Sequence, residues 1–167
     1  MSVWYEVEHS KKGIHNFMEC NWHFHDFTIE RVNYLSDSHT AELFLKYDEL
    51  EDSIILRFIG VHSMNINIQV DMGWTSDIMG SALLLLENGQ FLWIDDDSWG
   101  DQSMDHIEEL KRESSWIQAE RLIWATTDSN GNPTELPADK IDQTWSIYGK
   151  IEHHHFDLTP FDEAKYS

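Results

Sequence analysis

Alternation of apolar and polar side chains is the commonest pattern along this chain, and it predicts strands. Residues 3–8 set Val3, Tyr5 and Val7 against Trp4, Glu6 and Glu8, the signature of a strand with one wet face. Lys11-Lys12-Gly13 then reads as a turn. If residues 20–30 are extended, His23 and His25 share one face while Trp22, Phe24 and Asp26 share the other. Over 27–35 the apolar phase slips from Phe27 and Ile29 to Val32 and Tyr34, which predicts a β-bulge. Ala41, Leu43, Leu45 and Tyr47 keep strict period two, and 54–59 is apolar except for Arg57, as in a strand buried on both faces and ended by Gly60. Met64, Ile66, Ile68 and Val70 alternate with Asn65, Asn67 and Gln69. Three such segments with short connections predict an antiparallel meander.

Farther along, 72–81 has no firm period and reads as loop. Apolar runs at 83–86 and 91–94 flank Asn88-Gly89, the strongest short hairpin signal in a sequence. Met104, Ile107 and Leu110 recur at helical spacing behind Ser103, a plausible N-cap, so one short helix is expected near 103–113. Period two returns over 116–127, a turn follows at 128–133, and Pro137 keeps any helix in 135–142 short. The last strand is expected over 144–155, with Trp145, Ile147 and Ile151 on the face of His153 and His155, before a loosely attached tail from about residue 157. The pattern as a whole predicts a single domain over 1–167, mainly β, built as one antiparallel β-sandwich or partly closed barrel with one short helix.

Composition narrows this further. A chain of 167 residues can bury a full core, and eight tryptophans make that core aromatic. A single cysteine, Cys20, cannot form an intramolecular disulfide, and the first residues lack the basic start and apolar run of a secretory signal. No apolar run nears the roughly 18 residues that span a bilayer. A cytoplasmic, non-membrane protein is therefore expected. Thirty-one acidic against eleven basic residues give a net charge of −20, which repels nucleic-acid phosphates and attracts basic surfaces. The densest carboxylates, Asp48, Glu49, Glu51 and Asp52 in one loop and Asp95, Asp96, Asp97 and Asp101 in another, are the candidate surface for a basic protein partner.

Three constellations could carry chemistry. His23-x-His25-x4-Glu30 is similar to the first metal motif of the cupins, which implies a divalent ion such as zinc or nickel held with a later histidine. The glycines that flank that motif, and a Pro-x-Gly ahead of His62 or His106, are absent. His153 and His155 would meet His23 and His25 only if their strands were neighbours. Residues 95–106 partly fit a calcium loop, but Trp99 stands at position five and His106 at position twelve, where a glutamate is needed. Cys20 has no identifiable base or oxyanion hole, and no Walker, dinucleotide or Gly-x-Ser-x-Gly motif occurs. The leading expectation is a non-catalytic acidic binding protein without a cofactor; the alternative is a metal-dependent enzyme or metal-binding β-barrel using His23, His25 and Glu30.

Phe24-His25-Asp26-Phe27-Thr28-Ile29-Glu30 followed by the meander resembles uncharacterised bacterial β-rich families with a Phe-His-Asp signature, some of them immunity-protein-like. The resemblance implies a small cytosolic binder in which His25 and Asp26 fix a strand start.

Overall fold

The structure, a computed structural model, describes residues 3–47, 52–67, 77–78, 80–96 and 104–165. Expectations for Asp48, Glu49 and Glu51, for the strand end at 68–70, for most of 72–81, for Asp97 and Asp101 and for the Ser103 cap fall outside those residues.

After a short strand β1 (Tyr5–Glu6), the expected turn at Lys11-Lys12-Gly13 is instead the start of a helix, α1 (Lys11–Cys20). Ser10 is extended (φ −154°) and its hydroxyl accepts the Gly13 N–H at 2.9 Å, an N-cap placed one residue ahead of the two lysines. Ile14, Phe17 and Met18 then form the apolar stripe. Gly13 is needed for a close approach, since a Cβ there would lie 2.5 Å from the Glu8 carbonyl oxygen.

The helix is followed by a left-handed turn where an extended strand was expected. Trp22 (φ 51°), His23 (φ 53°), Phe24 (φ 56°) and Asp26 (φ 65°) all sit in a region that costs an L-residue about 1–2 kcal/mol. Burial offsets this. Phe24 is fully buried between Phe17 and Phe27, with ring centroids 5.4 and 5.5 Å away, and Trp22 meets Tyr47 edge-on at 6.0 Å.

Strand β2 (Phe27–Leu35) carries the expected bulge: its register with β3 (Thr40–Tyr47) shifts between Ile29 and Arg31. The next strand, β4 (Asp52–Asn65), runs straight through Gly60, which was expected to end it. At φ 68° Gly60 bends the strand without breaking its pairing, so the expected strands at 54–59 and from 64 onward are one element, and the meander is β2–β3–β4.

Beyond β5 (Asp77–Ile78), strands β6 (Ala82–Leu85) and β7 (Phe91–Ile94) form the Asn-Gly hairpin. The expected helix is α2 (Met104–Glu113), and the long strand after it is β8 (Trp116–Thr127). A turn capped by Asp128 leads to β9 (Pro133–Thr134) and the one-turn α3 (Ala138–Ile141). The single strand expected over 144–155 is a hairpin, β10 (Asp142–Ile147) and β11 (Lys150–His155), because Tyr148 (φ 50°) and Gly149 (φ 77°) turn the chain between them. Finally β12 (Thr159–Pro160) pairs with β1, and Phe161 is buried with its N–H on the Trp4 carbonyl at 2.8 Å, which ties down a segment expected to be loose.

The fold is mainly β and antiparallel, as expected. Among the described residues its ten-stranded sheet runs β12-β1-β8-β4-β3-β2-β5, with β6, β7 and β9 off that path, and is not closed. Strand β8 organises it. One edge pairs with β4 from Trp116 to Thr126, and the other takes β7, β1 and β9 in turn. One sheet face, with Leu43, Leu56, Phe58 and Trp124, packs with Phe17 and Met18 of α1 in the main core. On the other, Ile55, Ile123, Trp4 and Phe161 form one cluster and Leu92, Ile94 and Ile107 of α2 another.

Candidate functional site

The left-handed turn separates the histidines that extended chain would have aligned. His23 Nε2 lies 3.0 Å from Glu19 Oε1 one helical turn back, and the His23 carbonyl accepts the Ser81 N–H at 2.8 Å. His25 Nδ1 lies 3.0 Å from Asp26 Oδ2, an exposed pair at the threshold of β2, where the resemblance places a strand-fixing role. Glu30 is at the bulge, 3.9 Å from Lys46 Nζ. Three different partners thus hold the three candidate ligands. Among the described residues no group of three or more histidine, cysteine or acidic side chains is gathered as a metal would require.

His153 and His155 do not reach that turn's imidazoles by strand pairing, since β11 pairs with β10 in a separate two-stranded sheet. His155 Nδ1 is 2.6 Å from Asp142 Oδ1, and this hydrogen bond, reinforced by the Asp142 charge, raises the imidazole above its ordinary value. His153 Nδ1 lies 3.1 Å from the Thr144 hydroxyl, and His154 stacks on Trp145 at 3.9 Å. All three are hairpin side chains with local partners. Cys20 is buried, its thiol donating to the Phe17 carbonyl at 3.4 Å, and its own carbonyl accepts from Gln143 Nε2.

Of the two acidic stretches, the described part of the second is half-buried. Asp95 sits just past β7, where burial first and the Asp96 charge second push its carboxyl up to about 7. Asp96 Oδ2 accepts the Ser114 hydroxyl at 3.4 Å. On α2 Glu108, Glu109 and Glu113 are exposed, Glu108 lying 3.8 Å from Lys111 Nζ.

A groove of about 740 Å³ was not signalled by any motif. Tyr34 and His39 line it from either side of the β2–β3 turn, and His62 and Glu120 from either side of the β4–β8 bend. Only strand pairing brings these four together, so no local spacing could have shown them. The Tyr34 hydroxyl and His39 Nδ1 are 3.5 Å apart, and His9 Nε2 lies 2.8 Å from the Glu120 carbonyl oxygen. The groove is open to solvent and offers hydrogen bonds rather than an enclosed reaction chamber.

No family model, curated protein or solved structure matches this chain.

What the charges do is unequal. Arg57 and Arg121 are bound to Glu42 and Glu6, Arg31 lies over Phe44 at 3.8 Å, and Lys111 lies over Trp116 at 4.4 Å. Lys140 is buried, with Nζ 5.0 Å from the centre of the Trp22 ring. Lys12 and Lys46 lie within 4 Å of Asp157 and Glu30. Meanwhile Glu109, Glu113, Asp128, Glu135 and Asp139 are exposed. No described helix is long and apolar enough to cross a membrane.

Proposed function

We propose that this protein is a non-catalytic acidic binding protein, immunity-like, that recognises a basic protein partner in the cytoplasm. The observation that carries the reading is the internal use of cations: Arg57, Arg121, Lys111 and Lys140 are engaged by the protein's own aromatic rings and carboxylates, while an excess of carboxylates faces water. A surface so arranged attracts basic partners from a distance and rejects phosphate backbones. The similarity of Phe24-His25-Asp26 to the immunity-like families supports the same reading, as does a groove that lacks enclosure.

The test is capture of purified basic proteins on the immobilised chain at two ionic strengths. Screening shortens from about 10 Å at 0.1 M salt to about 3 Å at 1 M. Capture at the lower salt that is lost at the higher, and weakened when Glu108, Glu109 and Glu113 become glutamines, is the expected result. Capture that ignores salt, or no capture of any basic protein, sinks the proposal.

A further inference from the structure

The hairpin of β10 and β11 presents apolar side chains that the other described residues leave uncovered. Ile147 is 41% exposed, Ile151 68% and Tyr148 fully exposed. Its two faces differ. Gln143, Trp145 and His154 share the face that packs toward the body, with Trp145 Nε1 donating to Gln143 Oε1 at 3.0 Å and its ring stacked on His154. Thr144, Ser146, Ile151, His153 and His155 share the other, and all are exposed.

The backbone is open as well. Among the described residues β11 pairs only with β10. A two-residue loop makes the flanking pair, Ile147 and Lys150, the hydrogen-bonded one, so bonding alternates and the N–H and C=O of Ile151 point away from β10. An unpaired strand edge of this kind is a template for another strand.

We propose that β11 pairs antiparallel with β11 of a second copy of this chain, on a two-fold axis through Ile151. That register sets Ile151 against Ile151 with both outward backbone groups bonded across the axis. It also sets Lys150 of each copy opposite Glu152 of the other, two opposite-charge pairs on one face. The edge is suited to self-contact electrostatically. Residues 142–155 hold one lysine, Lys150, against two carboxylates, Asp142 and Glu152, whereas the whole chain carries −20. Like-charge repulsion between copies is therefore lower along this edge than the charge of the whole chain would give. An interface of one strand edge is small, and the dimer is correspondingly weak.

Sedimentation velocity of the intact protein, over rising concentration and at about 0.1 M and 1 M salt, tests this. Dimer is expected to increase with concentration and with salt, because screening relieves the repulsion between acidic bodies; capture of a basic partner has the opposite salt dependence, so the two proposals fail separately. Ile151→Pro removes the outward N–H without touching the β10 ladder and is expected to abolish the dimer. Lys150→Glu is expected to weaken it about tenfold, and the exchange Lys150→Glu with Glu152→Lys to restore it. A monomer at every concentration, a dimer indifferent to these variants, or an exchange that fails to restore pairing overturns the proposal. So does loss of a basic partner in Ile151→Pro while the parent protein stays monomeric.

Discussion

Arg57 and Glu42 stand directly opposite one another on β4 and β3, with Nε and Nη2 of the guanidinium each 2.9 Å from the same carboxylate oxygen and Trp4 covering the guanidinium at 4.1 Å. Glu42 is buried, so removing the guanidinium leaves a buried carboxylate without its ion-pair partner. Arg57→Leu is expected to destabilise the fold by about 2–3 kcal/mol, whereas Glu42→Leu combined with Arg57→Leu recovers most of the loss. Urea denaturation of the three proteins decides it; a single variant no worse than the double means the pair is not coupled.

Asp95 gives stability a slope with pH. Its carboxyl, held up near 7 by burial, keeps its proton in the folded state over the range where the unfolded chain, near 3.8, has already lost it. Folding stability therefore falls as pH rises from about 4 to 7 and is level above that, by at most roughly 4 kcal/mol. Asp95→Asn removes the slope, which denaturation midpoints at pH 5 and pH 8 will reveal as a larger gain at the higher pH.

The His155–Asp142 bond slopes stability in the same direction, but from about pH 6.5 upward and through the loss of a stabilising contact. The hydrogen bond to Asp142 raises the imidazole, so its contribution to the hairpin is present below about pH 6.5 and is lost as pH climbs through the folded value. Proton NMR of the ring is expected to show His155 titrating above the ordinary imidazole value, and Asp142→Asn to bring it down. An unchanged titration in that variant argues against the bond.

Tyr148 occupies the first position of a two-residue hairpin loop at φ 50°, where asparagine or glycine is at ease and a bulky side chain is not. Being fully exposed, it gains no burial in return. Tyr148→Asn should raise the resistance of the β10–β11 amides to hydrogen exchange by a few-fold, about 0.5–1 kcal/mol. Unaltered or faster exchange shows that the aromatic ring contributes locally.

Where local rules decide the structure, the sequence was readable. The Asn88-Gly89 hairpin, the α2 stripe of Ile107 and Leu110, the phase slip at Glu30 and the long β8 alternation each follow from two or three neighbouring residues. Elements decided by distant contacts were not. Phe24 is spaced from Trp22 as a strand residue would be, yet burial between Phe17 and Phe27 makes a left-handed turn the better arrangement. Gly60 looks like a terminator until Glu120 is set across from it, and the groove of Tyr34, His39, His62 and Glu120 exists only because β4 and β8 bend together. The acidic surface was legible as a charge count, but the engagement of the arginines was not, since it depends on which strands lie side by side.

The position of β8 sets a timetable for the growing chain. Strands β2, β3 and β4 can pair as soon as Asn65 has emerged, but the free edge of β4, bearing Ile54, Leu56 and Phe58, waits for residues that begin only at Trp116. At about 5–20 residues per second of synthesis that edge stays bare for seconds, long enough for a neighbouring nascent strand or a chaperone to reach it first.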